Sequence, residues 1–170
     1  MNIVLTGFMG TGKTAVGRHL ATELKAKFVD VDMLIAEKAG RSIKEIFDGQ
    51  GEAAFRRQES AVIQEVAAQD NVVIATGGGA LIDAANRETL SKRGILVCLK
   101  ARTGTLLERL KDDLTRPLLQ GEDLEKRMER LMAERQAVYN LCPVQVDTDG
   151  KTIAAVAEEI IRKVSPQWGN

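Results

Sequence analysis

Cysteine is scarce: Cys98 and Cys142 are the two in 170 residues. Their spacing suits no metal site, and Cys98 stands in an apolar run. Both read as reduced thiols in or near the core of a cytoplasmic protein. Excess charge is lacking too. The 24 basic and 24 acidic residues cancel to a formal net charge of zero, which offers neither nucleic acid nor an anionic membrane anything to attract. No apolar stretch reaches the roughly 20 residues that span a bilayer. The opening Met1-Asn2-Ile3-Val4 lacks a basic leader segment and reads as a structural strand. There is no internal repeat, linker or low-complexity tract. The one histidine, His19, and the one tryptophan, Trp168, stand where no chemistry gathers.

What remains is a chain of ordinary globular make-up, 44% hydrophobic and 28% charged, long enough for one domain with a real core. Apolar runs predict strands over 2–5, 27–32, 72–75, 95–99 and 144–147. Helical spacing predicts helices from the turn after the first strand to about 24, and over 33–38, 84–92, 103–111, 123–141 and 152–164. Ser42 with Glu45 three residues on has the form of a capping box opening a further helix. Gly49 and Gly51 are expected to break that helix before a longer one over 52–67. The polar stretch 112–122 reads as a mobile loop, and the tail from Ser165 as loosely held. Strands alternating with helices, and apolar on both faces, predict an α/β fold: a parallel sheet with helices on each side.

The chain is organised around Gly7-Phe8-Met9-Gly10-Thr11-Gly12-Lys13-Thr14. An apolar strand precedes this G-x-x-x-x-G-K-T pattern and a helix follows it, the setting in which it forms a phosphate-binding P-loop. Its backbone N–H groups and the start of the following helix face anionic phosphates. Lys13 supplies a point charge, and the Thr14 hydroxyl is a ligand for Mg²⁺. A nucleoside triphosphate is the expected ligand.

Ligands of parallel sheets lie beyond the carboxyl ends of the strands. Three features distant in sequence should converge there: the P-loop, Asp30 with Asp32, and Thr76-Gly77-Gly78-Gly79. Alternate positions on a strand point Asp30 and Asp32 to one face. One could hold a metal-bound water and the other accept a proton from a substrate hydroxyl, although Asp32 could equally cap the next helix. Three consecutive glycines after a buried strand suggest close approach of backbone to ligand. Arg135 interrupts the apolar stripe formed by Leu131, Met132, Val138 and Tyr139, which sets a guanidinium against the protein body. It needs an anion there, from a ligand or from an internal ion pair. Arg56 can pair with Glu59 three residues on and keep donors free, or be a plain surface pair. Arg116, held extended by Pro117, is placed to close over bound nucleotide, or simply to be solvated.

Taken together, these motifs resemble the shikimate kinase family nearly end to end. The resemblance runs through the P-loop, Phe28-Val29-Asp30-Val31-Asp32, Gly51-Glu52-Ala53-Ala54-Phe55-Arg56 with Glu59, Thr76-Gly77-Gly78-Gly79, Arg116-Pro117-Leu118-Leu119, and Glu134-Arg135 with Tyr139. It implies a P-loop nucleoside-monophosphate-kinase-like fold, three-layer α/β/α, with a five-stranded parallel sheet in the order 2-3-1-4-5 and a mobile lid. It implies transfer of the γ-phosphoryl group of ATP to the 3-hydroxyl of shikimate with Mg²⁺, by a monomer. Lys13, Asp32 and Arg116 would then be catalytic, Asp32 as base and Arg116 from the lid. Gly10, Thr11, Gly12, Lys13, Thr14, Ala15, Arg109, Arg116 and Thr152 would bind ATP. Asp32, Arg56, Arg135, Gly77, Gly78, Gly79, Phe47 and Phe55 would bind shikimate, within a segment 32–60 that includes its helices. Thr14 and, through water, Asp30 would hold the metal. A gluconate or nucleotide kinase, or a nucleotide-binding module without catalysis, are the rival readings.

Overall fold

Five strands pair in parallel: β1 (Asn2–Gly7), β2 (Lys27–Asp30), β3 (Val72–Ala75), β4 (Gly94–Lys100) and β5 (Val144–Asp147), in the order β2-β3-β1-β4-β5. The computed structural model describes residues 1–110 and 124–168. The predicted lid and Arg116 lie outside the described residues. The central strand sets the register, with Val4 opposite Ile74 on one side and Leu96 on the other. Because successive side chains alternate between faces, β1 feeds two apolar layers. Val4 joins Ile74, Leu96 and Cys98 on the face covered by α3 (Ile43–Ala67), α4 (Ala84–Ser91) and α6 (Leu124–Tyr139). Ile3 and Leu5 join Val73, Val97 and Leu99 on the face covered by α1 (Lys13–Glu23) and α7 (Ile153–Trp168). Ile3, Val4, Leu5 and Ile74 are fully buried. Such side chains contribute on the order of 1.5–3 kcal/mol each. Both cysteines are buried free thiols, as expected.

Local signals end the helices where they stand. Ser42 Oγ accepts the Glu45 N–H at 3.2 Å while Glu45 Oε2 accepts the Ser42 N–H at 2.8 Å, the predicted capping box. Two expectations need correction here. Gly49 stays helical, and Gly51 alone breaks α3, at φ 80°, ψ 170°. That conformation is open to glycine and strained for other residues. The tail is helical as well, since α7 continues to Trp168 with Pro166 inside it. Buried Val164 anchors that last stretch, and the Ser165 hydroxyl donates to the Ile161 carbonyl at 2.6 Å.

The remaining correction concerns the acids. β2 stops at Asp30, and Asp32 lies in the first turn of α2 (Val31–Ala39). Asp30, not Asp32, is the N-cap: its Oδ1 accepts the Met33 N–H at 3.2 Å. The strand alternation argument therefore fails, because Val31 is drawn into the core with no exposure and the chain turns helical around it. Helical turning brings Asp32 to the crevice by another route.

Candidate active site

The carboxyl ends of β1, β2 and β3 open onto two adjoining cavities. The larger, about 440 Å³, is lined by Gly10, Gly12, Lys13, Thr14 and Ala15, with Asp30, Asp32, Met33, Thr76, Gly78 and Arg109 around them. Gly7 can be nothing larger, since a Cβ there would collide with the Leu99 carbonyl oxygen. Gly12 caps α1 with no side-chain hydrogen bond, so the first-turn N–H groups are left to a ligand, the arrangement that binds phosphate. Lys13 Nζ donates to the Gly7 and Phe8 carbonyls at 2.9 and 3.0 Å.

Two residues predicted for the nucleotide site are not among those that line this cavity. Thr11 is buried, its hydroxyl donating to the Phe8 carbonyl at 2.8 Å, so its side chain shapes the loop instead of lining the cavity. Thr152 is exposed, and its Oγ1 accepts the Ala155 N–H at 3.2 Å at the start of α7. Arg109, on α5 (Thr103–Leu110), does reach the cavity and donates to the Gly10 carbonyl at 3.0 Å. Its second partner, the Thr148 hydroxyl at 3.5 Å, was missed in the sequence. A buried polar residue directly beyond the end of a strand was the signal available there.

The Thr14 hydroxyl donates to Asp30 Oδ2 at 2.6 Å. These are hard oxygen donors of the kind Mg²⁺ takes. Among the described residues no group of three or more His, Cys, Asp or Glu could hold a metal ion.

The smaller cavity is lined by Asp32, Phe47, Phe55, Arg56, Glu59, Gly77, Gly78, Gly79 and Arg135, together with Met9 and Ile43. Every residue predicted for the acceptor is present. Met9 faces both cavities and was hidden among the variable positions of the P-loop pattern. Phe47 and Phe55 pack with ring centroids 4.8 Å apart and make an apolar wall. The predicted Arg56–Glu59 pair forms at 2.7 Å, and Glu52 takes a second guanidinium nitrogen at 3.1 Å. Glu59 is 1% exposed. Burial raises its pKa above the ordinary carboxylate value, against the pull of Arg56.

Arg135 is 3% exposed, and neither its Nε nor its Nη1 has a hydrogen-bond partner. Its guanidinium lies 5.7 Å from the centre of the Phe8 ring. The three glycines are explained by contact. A Cβ on Gly77 would sit 2.9 Å from both Asp32 Oδ1 and Glu59 Oε1. One on Gly78 would sit 3.0 Å from Arg135 Nη1, and one on Gly79 2.6 Å from Arg56 Nη2. Carboxylates and guanidiniums thus crowd against bare backbone, which leaves the cavity open for a small polar ligand.

A P-loop at a sheet's carboxyl end, with an acid and two cations in an adjoining cavity, defines a phosphotransferase that acts on a small anionic acceptor. The model of the shikimate kinase family matches residues 9–165. Shikimate kinase of Legionella pneumophila (strain Corby) is 49% identical over 162 residues, covering 95% of this chain and 93% of that protein. That of Caldanaerobacter subterraneus subsp. tengcongensis is 46% identical over 161 residues, covering 95% and 94%. The solved shikimate kinase from Acinetobacter baumannii in complex with shikimate superposes with a TM-score of 0.95 at 38% identity, over 99% of this chain and 95% of that one. The chain belongs to the shikimate kinase family.

Proposed function

We propose that this protein transfers the γ-phosphoryl group of ATP to the 3-hydroxyl of shikimate, giving shikimate 3-phosphate and ADP, as a cytoplasmic monomer. The observation that carries the acceptor is Arg135. A guanidinium so buried, with two nitrogens lacking a hydrogen-bond partner, is costly unless an anion arrives. Arg56 lies across the same cavity, and a carboxylate between the two matches the acid group of shikimate. Phe47 and Phe55 cover the ring, and the backbone at Gly78 and its neighbours meets the polar edge.

ATP lies in the larger cavity with its phosphates on the P-loop amides and the first turn of α1. Lys13 leaves its carbonyl partners for the outer phosphates, and Arg109 stands near the nucleoside, with Thr152 further out. Thr14 and, through water, Asp30 would hold Mg²⁺, which would neutralise charge on the phosphates. Asp32 lines both cavities, so it orients the acceptor hydroxyl toward the γ-phosphorus. As the new O–P bond forms, the bond to the β-phosphate oxygen breaks and the hydroxyl proton passes to the Asp32 carboxylate. Arg116, outside the described residues, would neutralise charge on the transferring group.

Asp32→Asn tests this reading. The variant should fold and bind ATP as wild type does, with kcat lowered on the order of 10²- to 10⁴-fold. A near wild-type rate would reduce Asp32 to a first-turn helix residue.

A further inference from the structure

Residues 77–80 make a β-turn, closed by the Ala80 N–H on the Gly77 carbonyl at 3.2 Å. Its third residue, Gly79, sits at φ −103°, ψ −3°, the type I position. A type II turn over the same four residues would need φ near +80° there, which glycine adopts freely, and would rotate the central peptide by about half a turn. The two states send the Gly78 carbonyl and the Gly79 N–H in opposite directions. Nothing in the local sequence chooses between them.

A residue on another element does. The Tyr139 hydroxyl, on α6, donates to the Gly78 carbonyl at 2.5 Å. We infer that Tyr139 is a positioning residue for the acceptor: its hydroxyl latches the 78–79 peptide in one orientation, which fixes the Gly79 N–H as a third donor beside Arg56 and Arg135. The peptide is planar and trans, so a carbonyl held toward Tyr139 leaves the Gly79 N–H on the far side. Gly79 lies against Arg56 in the cavity wall. Among the described residues, neither the Gly78 nor the Gly79 N–H donates to another group. An idle donor next to two guanidiniums suits one more oxygen of a carboxylate or of a ring hydroxyl. Tyr139 is 6% exposed, and burial pushes its phenol up to about 12, against the pull of the Arg135 guanidinium. The donor therefore persists at any working pH.

The inference rests on the smaller cavity being the acceptor site, so the experiment measures Tyr139→Phe and Arg135→Ala side by side. For Tyr139→Phe the apparent KM for shikimate should rise roughly 3- to 10-fold, as expected for one lost hydrogen bond. The kcat should stay within about twofold and the KM for ATP should not move. In ¹⁵N relaxation dispersion the Gly79 amide should show microsecond-to-millisecond exchange that wild type lacks, quenched by saturating shikimate. An unchanged KM for shikimate with a sharp Gly79 signal overturns the latch. So does a parallel rise in both KM values with a lower Tm, which would mark Tyr139 as merely structural. If Arg135→Ala raises the KM for shikimate and Tyr139→Phe does not, the cavity assignment stands and the latch falls. If neither raises it, the cavity assignment fails first. Should Tyr139→Phe not fold, wild type decides. Exchange at Gly79 in the ligand-free protein overturns the latch, and a quiet Gly79 upholds it.

Discussion

At the scale of single residues, the smaller cavity is a problem of charges out of water. Arg135 has given up its hydration almost completely, and Glu59 has done so too. Glu59 recovers part of that cost through Arg56 at 2.7 Å, whereas two nitrogens of Arg135 have no hydrogen-bond partner. The raised pKa of Glu59, caused first by burial, makes a signed prediction about stability. Its unfolded value is about 4.5, and the fold favours the protonated form above that. Between these two pKa values the native state binds more protons than the unfolded chain, so stability falls as pH rises. Chemical denaturation of wild type and Glu59→Gln should therefore show the wild type losing ground from about pH 4.5 upward through the raised value, with a constant difference below it. A difference independent of pH would mean that Arg56 compensates the burial in full.

At the scale of elements, the parallel sheet was legible because each strand is an uninterrupted apolar run, and the helices because caps and glycines punctuate them. Arg135 was legible as a buried cation because it breaks an apolar stripe. The route of Asp32 into the site was not. Whether 27–32 runs on as strand or turns helical at Val31 depends on the core claiming that valine, a tertiary choice invisible to local periodicity. The two glycines of α3 were likewise indistinguishable by sequence, as were the side-chain positions of Thr11 and Thr152. Their geometries now predict opposite outcomes. Gly49 is helical with open space around it, so Gly49→Ala should stabilise by about 0.5–1 kcal/mol. Gly51 has the same open space but φ of +80°, so Gly51→Ala should destabilise by about 1–2 kcal/mol. Denaturation midpoints decide it, and shifts of the same sign would contradict the break at Gly51.

At the scale of the whole molecule, the sheet order β2-β3-β1-β4-β5 sets β1 at the centre with the P-loop at its end. β3 and β2 then bring the glycines and the acids alongside. Asp32, Gly78 and Met9 belong to both cavities, so the two cavities share a wall. Proximity of this kind accounts for much of a phosphotransferase's rate. Among the described residues no helix is long and apolar enough to cross a membrane.

The most direct measurement is ADP release by the purified protein with ATP and Mg²⁺, offered shikimate, gluconate or AMP, with the product located by ³¹P NMR. Turnover with shikimate alone, and phosphorus on its 3-oxygen, is the expected result. Phosphorylation of gluconate or AMP in its place, or ATP binding with no acceptor phosphorylated, would contradict the assignment of the Arg56–Arg135 cavity to shikimate.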